Sequence, residues 1–210
     1  MNDGLPWSAA CERNKRPIQQ VLARVLVTPG TVLEIGAGTG QHAVHFAATL
    51  PHLTWLPSDV AAALPTLQAR CRLSTSSNLL TPICFDVQRD AWPATVLLHV
   101  FSANTAHIMA WSGVEALFMG VGERLTTNGR FCLYGPFHEH GQPTSEGNRA
   151  FDEMLRARDP HSGIRDLDAL DALAARCGLQ RIETHPMPAN NQLLVWSATL
   201  QNNPGLAGSN

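Results

Sequence analysis

The sequence predicts an α/β fold: an open, doubly wound, mostly parallel sheet with helices on both faces, finished by an antiparallel strand. Three observations predict it. Strand-like and helix-like runs alternate from residue 31 to residue 134, Val32–Gly40 reads as strand, glycine turn and helix start, and the chain closes on two strand-like runs with no helix between them. A chain of 210 residues suffices for one such domain, burying roughly 70% of its unfolded surface.

The elements follow in order. Ile18, Val21, Leu22, Val25 and Leu26 recur at helical spacing, so a helix is predicted over Pro17–Leu26, with Pro17 in its first turn and Pro29-Gly30 as its stop. Thr31–Ile35 is the first strand and Gln41–Leu50 the first crossover helix, stopped by Pro51. Leu53–Leu56 is a second strand running into Pro57-Ser58-Asp59, Ala61–Leu73 a helix with Pro65 in its first turns, and Leu79–Phe85 a third strand ending at Asp86-Val87. Val96–Ser102 is apolar almost throughout, as a central parallel strand covered on both faces should be. Ser112–Leu125 reads as a helix stopped by Asn128-Gly129, and Arg130–Tyr134 as the fifth strand. Gly135–Thr144 is expected to be a loop. Ser145–Arg158, capped by Ser145, and Asp166–Cys177, closed by Gly178, are predicted helices. Gln180–His185 and Leu193–Leu200 are predicted to pair antiparallel, and the polar stretch Asn202–Asn210 is expected to be disordered.

Bulk properties narrow the partners. A formal charge of −2 leaves no basic footprint for nucleic acid or an anionic membrane. No apolar run reaches the roughly 18 residues of a membrane helix, and no basic-then-apolar leader opens the sequence. The five cysteines (Cys11, Cys71, Cys84, Cys132, Cys177) are odd in number and contain no C-x-x-C, which suits reduced thiols in the cytoplasm. The five tryptophans read as packing residues. His42 with His45, and His138-Glu139-His140, lack the remaining ligands of a zinc site, so no metal is expected.

The chemistry centres on Val-Leu-Glu-Ile-Gly-Ala-Gly-Thr-Gly, residues 32–40. Glycines at alternate positions after a buried strand let the backbone turn and let a ligand approach the N–H groups of the next helix. The dinucleotide fingerprint needs its third glycine at position 41, where Gln41 stands, so an NAD-type oxidoreductase is disfavoured. Glu34 followed by G-x-G-x-G instead resembles the first motif of S-adenosylmethionine (SAM)-dependent methyltransferases. In an open parallel sheet, ligands bind beyond the C-terminal strand ends at the switch point. Here that rule selects Glu34–Gly40, Ser58-Asp59, Asp86-Val87 and Ser102–Met109.

Each strand end answers a different part of SAM. Gly36, Gly38, Gly40 and Gln41 would cradle the methionine and ribose, and Asp59 would accept both ribose hydroxyls, unless it caps the following helix. Asp86 would accept the adenine amino group with Val87 against the ring, or serve as a turn residue before Gln88. Glu34 would order the ligand's amino group directly or through water, and its burial demands some partner. Asn104 would line the sulfonium, and His107 would take a proton from the attacking group or serve as a structural histidine.

With these segments aligned, the chain resembles the methyltransferase-like 26 family (domain of unknown function 938) from about Glu12 to Trp196. The resemblance rests on Glu12-Arg13-Asn14-Lys15, Leu33–His42, Trp55 with Pro57-Ser58-Asp59, Asp86-Val87, and Asn104 with His107-Ile108 and Trp111. Further matches are Tyr134-Gly135-Pro136-Phe137, Thr144-Ser145, Asn148, Phe151-Asp152, Arg158-Asp159-Pro160, Gly163–Asp166 and Met187–Asn191. It implies a seven-stranded class I methyltransferase fold, Rossmann-like, with SAM as cofactor. The fourth strand lacks the Asn-Pro-Pro-aromatic run of many amino-group methyltransferases, which speaks against nitrogen methylation of DNA or protein.

The family blocks outside the cofactor loops have a physical reading. Arg13, Asn14 and Lys15 would precede the first helix and fold over the cofactor, making residues 1–30 a lid on a SAM-binding domain of residues 31–200, with residues 201–210 a tail. Tyr134 joins His107 as a candidate catalytic residue. His138, Asn190 and Asn191 are candidate contacts to a small-molecule acceptor, although Asn190-Asn191 equally suits a tight turn. The rival reading is a non-catalytic module that binds SAM or S-adenosylhomocysteine and works through a partner.

Overall fold

The computed structural model describes residues 4–199. Helix α1 (Ala9–Val25) leads into β1 (Gly30–Ile35), α2 (Gln41–Thr49), β2 (Leu53–Asp59), α3 (Leu64–Arg72) and β3 (Ile83–Cys84). There follow β4 (Leu97–Ala103), α4 (Trp111–Gly122), β5 (Leu125–Gly135), β6 (Phe137–Glu139), β7 (Gln142–Pro143) and α5 (Glu146–Arg158). The chain closes with β8 (Arg165–Asp166), α6 (Leu167–Arg176), β9 (Leu179–Met187) and β10 (Asn191–Ala198).

Seven strands form the main sheet in the order β3-β2-β1-β4-β5-β10-β9. Strands β1 to β5 run parallel, and β10 inserts antiparallel to both β5 and β9. The order reverses between β1 and β4, which puts the switch point at the end of β1. Alternation along the strands then builds two cores. Val32, Trp55, Phe101 and Cys132 pack under Ile18 and Leu22 of α1 and Phe46 of α2. Leu33, Val100, Phe131 and Trp196 pack under Phe118 of α4 and Leu170 of α6. Burying each such side chain contributes roughly 1.5–3 kcal/mol.

Glycines permit the closest helix approaches. A methyl group on Gly120 of α4 would lie inside the Trp92 indole, and Trp92 is itself held against Phe85 at 5.1 Å between ring centroids. Gly120→Ala is therefore expected to destabilise the protein by about 1–3 kcal/mol. Chemical denaturation checks it, and an unchanged midpoint would refute this packing.

The structure corrects several boundaries. Helix α1 begins eight residues before Pro17, capped by the Ser8 hydroxyl, which accepts from Cys11 N, so Pro17 lies inside the helix. The missing N–H costs the bond to the Arg13 carbonyl, offset here by the buried face from Ile18 to Val25. Arg13, Asn14 and Lys15 are thus helical residues and do not form a loose segment ahead of the helix. Helix α3 starts at Leu64, so Asp59 is not its cap.

The third strand pairs only at Ile83–Cys84, with a lone bridge from Leu79 to Trp55. Helix α4 ends at Gly122, and Asn128-Gly129 lies within β5, where the pairing with β4 shifts register. The expected loop after Tyr134 holds β6 and β7, which with β8 make a second, three-stranded sheet. The expected disordered tail lies outside the described residues. Among those residues, no helix is long and apolar enough to cross a membrane.

Candidate functional site

The C-terminal ends of β1, β2 and β4 are stitched together by backbone chemistry. Gly36 N and Ala37 N both donate to the Ser58 carbonyl at 3.0 Å, and the Ser58 hydroxyl donates to the Glu34 carbonyl at 2.6 Å. From β4, the Ser102 hydroxyl donates to the Ile35 carbonyl at 2.8 Å and touches the Thr105 hydroxyl. Gly36 has φ +73°, and a Cβ there would overlap the Thr105 methyl, so only glycine fits. Gly38 has φ +55° and nothing within 4 Å of where its Cβ would lie. The loop is pinned at Gly36 and open at Gly38.

Asp59 sits against this opening. Its Oδ2 accepts from Gly38 N at 2.6 Å and its Oδ1 from Val60 N at 2.7 Å. Ionised, a carboxylate offers about four lone-pair sites, so each oxygen keeps a further acceptor position. Asp86 follows closely, since Cys84 pairs with Asp59 and Phe85 N donates to the Asp59 carbonyl. The Asp86 Oδ1 accepts from Gln88 N at 2.9 Å, so the turn reading of this residue holds. Val87 is buried beside it.

Glu34 has the partner its burial demands: Oε2 accepts from Trp55 Nε1 at 2.6 Å. The carboxyl is 1% exposed, and burial pushes its pKa up to about 8, against the Trp55 hydrogen bond, with the Asp59 charge adding to the rise.

Gln41 draws the N-terminal segment onto the glycine loop. Its Oε1 accepts from Ser8 N at 2.6 Å and from the Thr39 hydroxyl at 3.0 Å. Arg70 of α3 spans the same gap, donating to the Thr39 carbonyl at 2.7 Å and the Pro6 carbonyl at 2.8 Å. Farther along α1, Asn14 is buried against α2 and β5. The His42 ring nitrogen Nε2 lies 2.7 Å from Asn14 Oδ1. Arg13 is exposed on the same helix, and burial raises the pKa of the Tyr134 phenol above its ordinary value.

Asn104 takes φ +59° as the chain leaves β4, its N–H donating to the Tyr134 carbonyl at 2.9 Å. Three residues on, His107 is 6% exposed, its ring edge-to-face with Phe151 at 5.3 Å. Burial, reinforced by the Arg165 charge, lowers its pKa to about 4. The loop that carries it is clamped. Arg165 Nε donates to the Ala106 carbonyl at 2.9 Å, its Nη2 donates to the carbonyls of both Met109 and His161, and Gly163 N donates to the His107 carbonyl at 2.8 Å.

The predicted acceptor contacts gather around α5. His138 Nε2 is buried without a hydrogen bond, 4.0 Å from Asp152 Oδ1. Asn190, at φ +55°, and Asn191, whose amide donates to the Pro188 carbonyl at 3.1 Å, form the turn between β9 and β10. Asn148 of α5 ties this turn down through the Asn190 carbonyl at 3.0 Å.

Sequence reasoning missed Arg165, Arg70, Ser8 and the partnership of His42 with Asn14. Only Ser8 carried a local signal, a capping serine three residues before Cys11. Among the described residues, no cluster of three His, Cys, Asp or Glu side chains is placed to hold a metal ion.

Solved structures share this architecture. An O-methyltransferase family protein from Burkholderia thailandensis superposes with a TM-score of 0.77 at 13% identity, over 90% of this chain and 57% of its own. CalO1, a methyltransferase in calicheamicin biosynthesis, was solved in its S-adenosylhomocysteine-bound form; it matches at TM-score 0.71 and 17% identity, over 90% and 55%. An O-methyltransferase family 2 protein from Planctomyces limnophilus, in complex with apigenin, matches at 0.71 and 14%, over 88% and 62%. The chain thus spans a little over half the length of these proteins, and at such identities the likeness establishes the class I methyltransferase fold. A family model matches residues 5–198, nearly the whole chain, and the protein belongs to that family, described as protein of unknown function (DUF938).

Proposed function

We propose that this protein is a cytoplasmic SAM-dependent methyltransferase acting on a small molecule, of the methyltransferase-like 26 group within its family. The observation that carries the reading is the glycine loop open at Gly38 directly beside the Asp59 carboxylate. A loop with room for a ligand and an acceptor pair at its edge suits a nucleoside bearing a ribose diol. The acceptor positions left on Asp59 would take the two hydroxyls, the Asp86 oxygen not engaged by Gln88 would take the adenine amino group, and Val87 would back the ring.

Bound SAM supplies a methyl group on a positively charged sulfur. Asn104 and the residues after it would hold the acceptor in line with that methyl, and alignment with exclusion of water supplies most of the acceleration. His107, neutral at physiological pH, is in the state needed to accept the acceptor's proton.

Calorimetric titration of the purified protein with SAM, S-adenosylhomocysteine and NAD tests the cofactor. Tight binding of the first two supports the reading, whereas NAD binding alone, or no binding, overturns it. In a methyl-transfer screen of small hydroxyl, amine and thiol compounds, His107→Ala is expected to lower turnover about 10²–10⁴-fold. SAM affinity should change far less, because a base acts on the acceptor and not on the cofactor. Equal turnover would remove His107 from the mechanism.

A further inference from the structure

Gln41 stands where a dinucleotide fingerprint would place its third glycine, and its side chain is committed to the segment before α1. The carboxamide grips both backbone groups of Ser8: Oε1 accepts from Ser8 N at 2.6 Å, and Nε2 donates to the Ser8 carbonyl at 3.3 Å. The Thr39 hydroxyl, donating to the same Oε1 at 3.0 Å, holds the acceptor end in place. From α3, Arg70 bonds the Pro6 carbonyl at 2.8 Å and the Thr39 carbonyl at 2.7 Å. Two helices thus tie Pro6 and Ser8 to residues 39–41 of the glycine loop, directly after its open point at Gly38.

These ties are polar and lie at the surface. Pro6 is exposed, and Trp7, between the two tied residues, is 59% exposed, against the packing role expected of it. The buried face of α1 begins only at Asn14. A segment held by hydrogen bonds, with no buried apolar side chain of its own, opens far more readily than the sheet beneath it.

We propose that Pro6–Ser8 is a strap closed over the glycine loop, latched by Gln41 and Arg70, whose opening sets the rate at which a ligand leaves the loop. Gln41 and Arg70 are positioning residues here, acting on the ligand through the strap. The identity of the ligand rests on the methyltransferase reading; the latch does not.

The latch can be read without a ligand. Chymotrypsin cuts after aromatic residues, and the Trp7–Ser8 bond carries the N–H that Gln41 holds. Cleavage there, followed as the product beginning at Ser8 by mass spectrometry, therefore tracks strap opening. Gln41→Ala is expected to speed it about ten-fold, and Arg70→Leu, which releases Pro6 from the other helix, to do likewise. Cleavage at phenylalanines of the core, which general misfolding would raise, should keep its wild-type rate. If the alanine variant is cut throughout, Gln41→Glu, which keeps the acceptor for Ser8 N and loses the donor, replaces it and should speed cleavage several-fold. An unchanged rate at Trp7–Ser8 in the folded variants overturns the latch whether or not SAM binds.

The ligand arm uses S-adenosylhomocysteine. Saturation with it should slow cleavage of the wild type at Trp7–Ser8, and both variants should release it about ten-fold faster in stopped flow. Faster release in the Gln41 variant alone would mean that Gln41 touches the ligand itself and would overturn its positioning role. Faster cleavage without faster release, or without protection by the ligand, would overturn the strap as a cover. Failure of the wild type to bind S-adenosylhomocysteine overturns the proposed function instead, and the cleavage rates still decide the latch.

Discussion

Asp59→Ala is expected to weaken SAM and S-adenosylhomocysteine by about 100-fold or more, which calorimetry would register as loss of measurable binding. Two effects add. In the proposed function the carboxylate would accept from the ribose diol, and each hydrogen bond to a charged acceptor contributes about 1.5–3 kcal/mol, so losing two lowers affinity by roughly two to four orders of magnitude. The same carboxylate also anchors the loop, since Oδ2 holds Gly38 N at 2.6 Å where no side chain packs. Without it, Gly38 must be ordered at the moment of binding. Folding should suffer far less, because the bonds lost sit at a half-exposed rim, and about 1 kcal/mol is the expected cost. Binding within a few-fold of wild type would remove Asp59 from the site and, with it, the argument from the open loop.

That site was legible in the sequence because its parts are local. A buried strand, alternate glycines and a helix lie within ten residues, and the carboxylates follow the next two strands at positions the parallel topology dictates. The second reading of Asp86, as a turn residue, came from the same local chemistry and leaves an oxygen free for the proposed first, since only one serves Gln88. What the sequence hid depends on residues far apart along the chain. Arg165 clamps a loop 56 to 59 residues earlier, and Arg70 joins Thr39 to Pro6 across the glycine loop. Neither pairing leaves a periodicity.

Proline and glycine misled in a different way. Pro17 and Asn128-Gly129 are usual punctuation, but Pro17 is carried inside a helix whose far half is buried, and the Asn-Gly pair lies in a strand where the pairing shifts register. Tertiary packing overrode the local signal at both places. His42 was ambiguous for the same reason. Its spacing to His45 suggested a shared face, whereas its actual partner stands on another helix.

The second large effect concerns Glu34, where the motif and the geometry point differently. An acid on the first strand before the glycines reads as a charge partner for the ligand, yet here it is 1% exposed and bonded to the Trp55 indole. With its pKa raised from 4.5 to about 8, the carboxyl is largely protonated at pH 7 and contributes hydrogen bonding without charge. The folded protein therefore holds a proton that the unfolded chain releases above about pH 4.5. Stability from this group is full below that pH and is lost as pH rises through 8, amounting at most to about 5 kcal/mol across the interval. Glu34→Gln keeps an oxygen for Trp55 and cannot ionise. The gap between the melting temperatures of the two proteins is expected to widen from pH 5 to pH 9, the variant melting several degrees above wild type at the higher value. Because the group is uncharged at neutral pH, SAM affinity of the variant should stay within about three-fold. Parallel melts at both pH values would mean that Glu34 is ionised in the fold, and a collapse of SAM binding at pH 7 would return it to the role of charged ligand partner that its place in the motif first suggests.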